Sequence, residues 1–378
     1  MITIKKIERA TSIYEWNEHL NSGADPILEL GVRNKDNWGM ATNQASRILI
    51  DIRPHTDNYN SASLKLFAAN VEDESNRSSA VTIQANRLYE SWTEGTEKYF
   101  DSPQKTNQTT GVTWKSRAVA ITHNIFGTSE ATLRAAGLTQ SYQYQESSKG
   151  PVYYTGSNSG SAESGYPSNI YYHDADQYDM TFDITTYYGL VTESSGTNMN
   201  GLMIMHTPND EEHGAIFVGS KKFFSNDTHT VYQPRLELKY DDYSWSSTNK
   251  VIGTDQATVY YRGNSGKYDS RSTVRFRPVV RESFPTASYS TSPQADTIKT
   301  FTSARSYYSI VDVRTDEEIL GYDDIFTKVC ADSEGMYFDV PLEGFPKDRI
   351  YKPVIKVVDR IAEGGVEYFD SKDHFEVV

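Results

Sequence analysis

The sequence predicts an all-β protein built from antiparallel β-sandwiches. Short runs of alternating apolar and polar residues recur along the chain, and clusters of Asn, Asp, Gly, Ser or Pro separate them. Long segments with the 3.6-residue apolar period of a helix do not stand out. Only 37% of the residues are hydrophobic, but Tyr, Phe and Trp make up 12% and bury large areas each, which favours several thin cores over a disordered chain.

The first part of the chain carries seven strand-like runs. They are RILIDI (47–52), SLKLFAA (63–69), AVTIQANRL (80–88), YDMTFDI (178–184), GLMIMHT (201–207), GAIFVGS (214–220) and PRLELKY (234–240). The polar stretch YDDYSWSSTNK (240–250) follows the last run. We therefore predict an N-terminal sandwich over residues 1–242 and a linker over 243–250.

A long insertion is expected at about 118–172, because residues 140–171 are rich in Ser, Gly and Tyr and strand patterns resume after them. Such a mixture is typical of adaptable recognition surfaces. Its tyrosines are candidates for stacking on a glycan, and the alternative is packing against the sandwich or a neighbouring subunit. These tyrosines are Tyr142, Tyr144, Tyr153, Tyr154, Tyr166, Tyr171 and Tyr172.

A second series of strands begins after the linker. Its runs are VIGTDQATVYY, STVRFRPVVRE (272–282), SYYSIVDV (306–313), MYFDVP (336–341), YKPVIKVVDR (351–360) and HFEVV (374–378). A polar break at 286–297 divides the series into a small β-rich segment (251–300) and an immunoglobulin-like sandwich (301–378), so we expect one or two small domains here.

The charge balance argues against nucleic acid as a partner. The chain has 37 Lys and Arg against 51 Asp and Glu, a formal net charge of -14, and no run of basic residues. Binding to a phosphate backbone needs a basic face that displaces counterions. The single cysteine, Cys330, excludes an intrachain disulfide and lies in a strand-like pattern, where a small buried side chain is expected.

No segment has the apolar core of a signal peptide or the roughly 18 apolar residues of a membrane span. We therefore expect synthesis in a cytoplasm and no membrane insertion.

Patterns for catalysis or cofactor binding are missing: no nucleophile elbow, phosphate-binding loop, dinucleotide fingerprint or metalloprotease helix occurs. We predict a non-enzymatic protein without a cofactor. The stretch YYHDADQYD leaves alternatives open: a solvated acidic turn, a calcium site formed by Asp174, Asp176 and Asp179, or an acid–base pair.

Two tryptophans bracket a polar segment, and each lies near a glycine: Trp92 with Gly95, and Trp114 with Gly111. A binding platform would use their rings as a flat surface. We favour a structural role, in which the rings cap one end of the sandwich core and the glycines allow the backbone to turn beside them.

The order of several motifs in the first 240 residues resembles the DNRLRE family, whose domain is a β-sandwich of jelly-roll type. The matching blocks are NSGADPILELG (21–31), SRILIDI with Arg47, SASLKLFAANV, the Trp92, Glu94, Gly95 and Thr113–Trp114 pattern, TFDIT (181–185) and KKFFSNDTHTVYQPRLELKY (221–240). The chain departs from the family where Asn226 and Asp227 replace a Ser/Arg/Glu element. The resemblance implies a jelly-roll-like N-terminal sandwich.

Residues 303–378 resemble an immunoglobulin-like segment of virion proteins from tailed phages. The resemblance lies in SYYSIVDVRTDEEILGYDDIFTKVCADSEGMYFDV and in the ending YFDSKDHFEVV. Within this segment, the corner formed by residues 346–349 precedes Tyr351, and by analogy with a tyrosine corner we expect its ring to be buried and its hydroxyl to meet the backbone.

These resemblances imply a structural virion protein of the neck, tail, baseplate or capsid surface, assembled in the host cytoplasm. Its partners would be other virion proteins and its own copies in a symmetric assembly. The alternative is a carbohydrate-binding module that contacts a host surface glycan.

Overall fold

The chain is all-β, as predicted. The computed structural model describes residues 1–33, 43–52, 59–70, 81–88, 91–99, 111–117, 151, 169–173, 179–185, 188, 200–207, 210–211, 219–285, 298–302, 305–359 and 365–378. The predicted insertion is largely outside these ranges. Contacts divide the chain into an N-terminal unit, Lys6–Asp57 with Ser61–Leu236, and a C-terminal unit, Met1–Lys5 with Asn58–Asn60 and Glu237–Val378.

The described residues before position 240 form twelve strands. They are β1 (Ile2–Lys6), β2 (Ala10–Tyr14), β3 (Ile27–Arg33), β4 (Gln44–Ile50), β5 (Ser61–Leu66), β6 (Ala68–Asn70), β7 (Val81–Arg87), β8 (Asn169–His173), β9 (Met180–Asp183), β10 (Leu202–His206), β11 (Gly219–Phe224) and β12 (Arg235–Lys239). A 3-10 helix, Glu15–Asn17, follows β2.

The described residues after position 240 form another twelve. They are β13 (Lys250–Val251), β14 (Ala257–Arg262), β15 (Lys267–Tyr268), β16 (Thr273–Glu282), β17 (Lys299–Thr300), β18 (Ser306–Asp312), β19 (Glu318–Leu320), β20 (Cys330–Asp332), β21 (Gly335–Pro341), β22 (Arg349–Asp359), β23 (Gly365–Asp370) and β24 (Phe375–Val377). Among the described residues after position 240, a 3-10 helix, Thr254–Gln256, precedes β14.

The N-terminal unit contains an eight-stranded sheet of order β6-β11-β3-β4-β10-β7-β8, with β2 also paired to β4. A second sheet has the order β1-β12-β5-β9, and the division between the units falls within β1 and β12. In β4 and β10 consecutive residues are buried on both faces: Ile48 and Leu49, for example, are each 0% exposed. The centre of the eight-stranded sheet is therefore covered on both sides, which explains why these two strands are nearly continuous apolar runs.

The C-terminal unit is a sandwich of two six-stranded sheets. One has the order β13-β17-β16-β21-β20 with β14 on β16, and the other has the order β15-β24-β22-β18-β19 with β23 on β22. Aromatic ring pairs join the sheets: the ring of Tyr308 in β18 stacks on that of Phe338 in β21 with centroids 4.2 Å apart, and the ring of Phe375 in β24 lies tilted against that of Phe276 in β16 with centroids 5.0 Å apart. Strands from 251–300 and from 301–378 belong to the same two sheets.

The alternation of β16 fixes which residues face the core. Val274, Phe276, Pro278 and Val280 are buried, while the residues that alternate with them are more exposed, as expected when one face of a sheet packs and the other meets solvent. Cys330 of β20 is buried, as predicted from its pattern.

Candidate functional site

Trp92 and Trp114 lie together in the core of the N-terminal unit, with 4% and 1% exposure. They share one apolar cluster with Ile13, Ala45, Leu49, Leu88, Val112, Met203 and Met205. The indole N–H of Trp92 donates to the carbonyl of Asn200 at 2.8 Å, so its polar atom is satisfied inside the protein. Both rings pack in the core over one face of the eight-stranded sheet, so neither is exposed as a flat surface for a ligand.

An arginine lies over each ring. The guanidinium carbon of Arg9 is 5.1 Å from the Trp92 centroid, and that of Arg47 is 4.6 Å from the Trp114 centroid. Arg47 is buried together with Glu211 and donates to its carboxylate from Nε at 3.2 Å and Nη2 at 2.6 Å. Each side chain of this pair compensates the buried charge of the other, so removing either one would destabilise the fold.

Gly95 and Gly111 lie where two backbone segments meet around the side chain of Asn21. Its Nδ2 donates to the carbonyls of Glu94 and Val112, at 2.7 Å each. Gly95 has φ +89°, and a Cβ added there would lie 2.3 Å from Asn21 Oδ1; one added to Gly111 would lie 2.4 Å from the Glu94 carbonyl oxygen. The two backbone segments can therefore approach each other this closely only because both positions are glycine.

Glu94 connects its own loop to two other segments of the chain through hydrogen bonds. Its Oε1 accepts from the backbone N–H of Ala10 at 2.7 Å and from Nδ2 of Asn226 at 3.2 Å. Burial raises the pKa of Glu94 to about 6, and the nearby Asp227 carboxylate acts in the same direction, while the two hydrogen bonds and Arg9 oppose it. Asn226 and Asp227 are the residues at which the sequence departs from the DNRLRE pattern.

The predicted calcium ligands are not assembled by the described residues. Asp174 and Asp176 lie outside the described residues, and Asp179 accepts the backbone N–H of Ala68 at 2.8 Å through Oδ1. Within the described ranges, no three His, Cys, Asp or Glu side chains come together as a metal site.

Most of the candidate tyrosines also lie outside the described residues: Tyr142, Tyr144, Tyr153, Tyr154 and Tyr166. The backbone of Tyr171 and Tyr172 belongs to β8, where they pair with Ile83 and Thr82 of β7.

The expected tyrosine corner is confirmed in the C-terminal unit. Tyr351 is fully buried, and its hydroxyl donates to the carbonyl of Pro346 at 2.8 Å. Nearby, Asp312 accepts from Arg349 Nε at 2.6 Å and from the backbone N–H groups of Arg314 and Thr315. The corner and this carboxylate hold the turns at one end of the sandwich.

The most distinctive surface in the C-terminal unit was not predicted. We name it the arginine–tyrosine face. It comprises the outward side chains of β14, β16 and β21: Thr258, Tyr260, Arg262, Thr273, Arg275, Arg277, Val279, Arg281, Tyr337 and Asp339. The signal was present in STVRFRPVVRE, where three arginines share one parity and apolar residues occupy the other.

One half of the face is internally neutralised. Arg275 binds Asp339 through two bonds of 2.8 Å, and Arg277 binds Asp332 through bonds of 3.0 and 2.9 Å. Both guanidinium groups lie over the ring of Tyr337, at 4.3 and 5.4 Å. Forked arginine–carboxylate pairs of this kind fix a side chain in one orientation.

The other half presents cations and an exposed ring. Tyr260 is 43% exposed, Arg281 lies 5.7 Å from its ring centroid, and Arg262 is directly opposite Arg277 in the antiparallel pair. In the part of the chain that the structure describes, neither Arg262 nor Arg281 has a carboxylate within 4.0 Å. Because arginine stays charged and cannot act as a proton donor in catalysis, this half is suited to binding a carboxylate-bearing surface.

Comparison with protein-family models and with curated protein sequences gives no significant match for this chain. Among the described residues, none forms a helix with the length and apolarity needed to cross a bilayer.

Proposed function

We propose that this chain is a non-enzymatic structural protein of a tailed-phage particle, in its neck, tail, baseplate or capsid surface, assembled in the host cytoplasm. The two sequence resemblances are the source of this assignment. The observation that supports it best is the arginine–tyrosine face, because arginine and tyrosine are the residues enriched at the centres of protein interfaces. Other virion proteins and further copies of the chain are the partners of such a surface.

Glu94 and the Arg47–Glu211 pair favour a structural role over a catalytic one. Glu94 has a pKa of about 6, but its carboxylate accepts the Ala10 N–H and so holds backbone in place. Arg47 and Glu211 likewise bind each other under Trp114. Displaced pKa values often mark catalytic groups, but structural networks produce them too, and the Glu94 carboxylate belongs to such a network through its bonds to Ala10 and Asn226.

Mass spectrometry of purified particles from the source phage tests the assignment. We expect the chain at a fixed stoichiometry relative to the major head or tail proteins, retained through repeated purification. Particles that lack the chain would overturn the proposal.

A second candidate function, binding of a host surface glycan, has one observation in its favour. Tyr368 of β23 is 57% exposed, its ring centroid is 6.0 Å from that of Tyr322, and the ammonium of Lys356 lies 5.3 Å from the Tyr322 ring. Exposed aromatic faces beside a hydrogen-bond donor are suited to stacking on sugar rings. A glycan array probed with the full chain and with Tyr368→Ala would show binding that the substitution removes; absence of binding to host glycans would exclude this function.

A further inference from the structure

The basic half of the arginine–tyrosine face carries an unfavourable arrangement. Arg262 and Arg277 face each other across β14 and β16, and like charges directly opposite one another destabilise a sheet. Arg277 is compensated by Asp332, but Arg262 and Arg281 have no described carboxylate within 4.0 Å. A partner that brings carboxylates to this half would remove the repulsion.

Exposed apolar groups lie on or next to the same strands, and the Tyr260 ring lies 5.7 Å from the Arg281 guanidinium carbon. Phe284, two residues after the end of β16, is 93% exposed, and Tyr260 is 43% exposed. Val279, opposite Tyr260, is partly exposed as well. Large apolar side chains rimmed by charge are typical of protein–protein contact surfaces.

The same unit carries a surface of opposite charge on its other sheet. We name it the acidic edge; it comprises Asp316, Glu317 and Glu318, where β19 begins, and Asp324 and Ile325, in the turn after β19 ends. The side chain of Asp316 is 83% exposed, at 3.8 Å from Lys352, and Ile325 is 55% exposed. β19, which begins at Glu318, is the terminal strand of its sheet. Acids and an exposed aliphatic residue there complement arginines and exposed rings on the face.

We propose that the arginine–tyrosine face of one copy binds the acidic edge of the next copy. The two surfaces differ in charge and lie on different sheets, so the contact is head-to-tail and generates a ring or a filament rather than a closed twofold dimer. This inference deepens the proposed function and rests on it, because a component of a symmetric particle binds its own copies.

Salt should affect this contact in two directions. The net charge of -14 makes copies repel at long range, and this repulsion is screened at about 0.1 M salt, where the Debye length is roughly 10 Å. Ion pairs at the contact weaken as the Debye length shortens to about 3 Å near 1 M. We therefore expect self-association of the full-length protein to be strongest near 0.1 M and to decline toward 1 M.

Charge-reversed variants test the geometry by sedimentation velocity at fixed concentration. The face variant carries Arg262→Glu with Arg281→Glu, and the edge variant carries Asp316→Lys, Glu318→Lys and Asp324→Lys. Each alone should be monomeric. Their mixture should form larger assemblies in which the two variants alternate, because the unaltered face binds the unaltered edge and the reversed face binds the reversed edge. A protein with all five substitutions should again form larger assemblies.

The control carries Arg271→Glu and Lys372→Glu, which match the charge change of the face variant at exposed positions outside the face; it should associate as the unaltered protein does. Circular dichroism establishes that each variant is folded. An unaltered protein that stays monomeric near 0.1 M salt, or a face variant that associates normally, would overturn the inference. So would salt-sensitive binding of an acidic polysaccharide to the face without self-association. Self-assembly of a protein that is missing from particles would contradict the proposed function alone.

Discussion

The two units place their charged groups differently. In the N-terminal unit, Arg47 and Glu211 are buried together beneath Trp114, and Glu94 holds loop backbone from a partly buried position. In the C-terminal unit the core is a stack of aromatic rings, and arginine–carboxylate pairs such as Arg275–Asp339 lie on an outer face. Charge in the N-terminal unit therefore maintains the fold, whereas much of the charge in the C-terminal unit is available for contact.

The contrast explains why equal chemical changes should have unequal effects. Removing a buried partner leaves a desolvated group without compensation, while an exposed ion pair contributes little to stability. Substitutions in the N-terminal network should lower its unfolding free energy, and substitutions on the arginine–tyrosine face should change association and leave the fold intact.

The largest expected effect is Trp114→Ala. It removes a side chain that is 1% exposed and uncovers the Arg47–Glu211 pair, so we expect a loss of about 3–5 kcal/mol in unfolding free energy. Urea denaturation followed by hydrogen exchange should localise the loss to the N-terminal unit. Trp245→Ala is the control, because Trp245 is only partly buried and belongs to the C-terminal unit. A stable Trp114→Ala variant would show that this tryptophan is not part of the core.

A smaller effect is expected for Gly95→Ala, with Gly263→Ala as its matched control. Both glycines have positive φ, +89° and +74°, so both substitutions cost about 1–2 kcal/mol of backbone strain. Only at Gly95 would the new Cβ collide, at 2.3 Å from Asn21 Oδ1, whereas nothing lies within 4 Å of Gly263. We expect Gly95→Ala to cost about 1–3 kcal/mol more, as overpacking does. Equal thermal stabilities would contradict the close approach around Asn21.

Tyr351→Phe should reduce stability by about 1 kcal/mol, because the Pro346 carbonyl loses its hydrogen bond inside the C-terminal unit. The loss should appear in chemical denaturation of that unit. Tyr368→Phe removes a hydroxyl from a ring that is 57% exposed and should leave stability unchanged. If both variants matched the unaltered protein, the corner bond would contribute nothing.

Sequence patterns predicted the strands well where burial alternates or is continuous. STVRFRPVVRE and YKPVIKVVDR correspond to β16 (Thr273–Glu282) and β22 (Arg349–Asp359) with small differences at the ends. Short strands such as β15 and β17 were not predicted, because two residues carry no period and are fixed by their partners in space.

The candidate site was harder to predict than the fold. Tyr351 could be anticipated, since a local corner determines its bond, but the neighbours of Tyr260 come from β16, a strand that starts more than ten residues later. A sequence shows that arginines share a strand face. It does not show which of them meet carboxylates, because Asp332 and Asp339 reach the face only through the pairing of β20, β21 and β16.

The smallest expected effect is a difference in pH dependence between the units. Burial raises the pKa of Glu94 from 4.5 to about 6, so the folded N-terminal unit binds this proton more tightly than the unfolded protein does. Its contribution to stability is present below about pH 4.5 and is lost as the pH rises through about 6. In the C-terminal unit the pKa of Asp332 lies below 3.8, chiefly because Arg277 binds it, and the pKa of Asp312 is also lowered, with Arg349 favouring its carboxylate against burial. These groups add stability above about pH 3.8 that is lost on further acidification.

From pH 4.5 to 6.5, hydrogen exchange should show the N-terminal unit becoming less stable and the C-terminal unit changing little. Glu94→Gln should flatten the N-terminal slope, whereas Asp332→Asn should leave it as it is. An N-terminal slope that persists in Glu94→Gln would assign the proton to another group, with Asp227 the first to examine, since its pKa is also raised by burial.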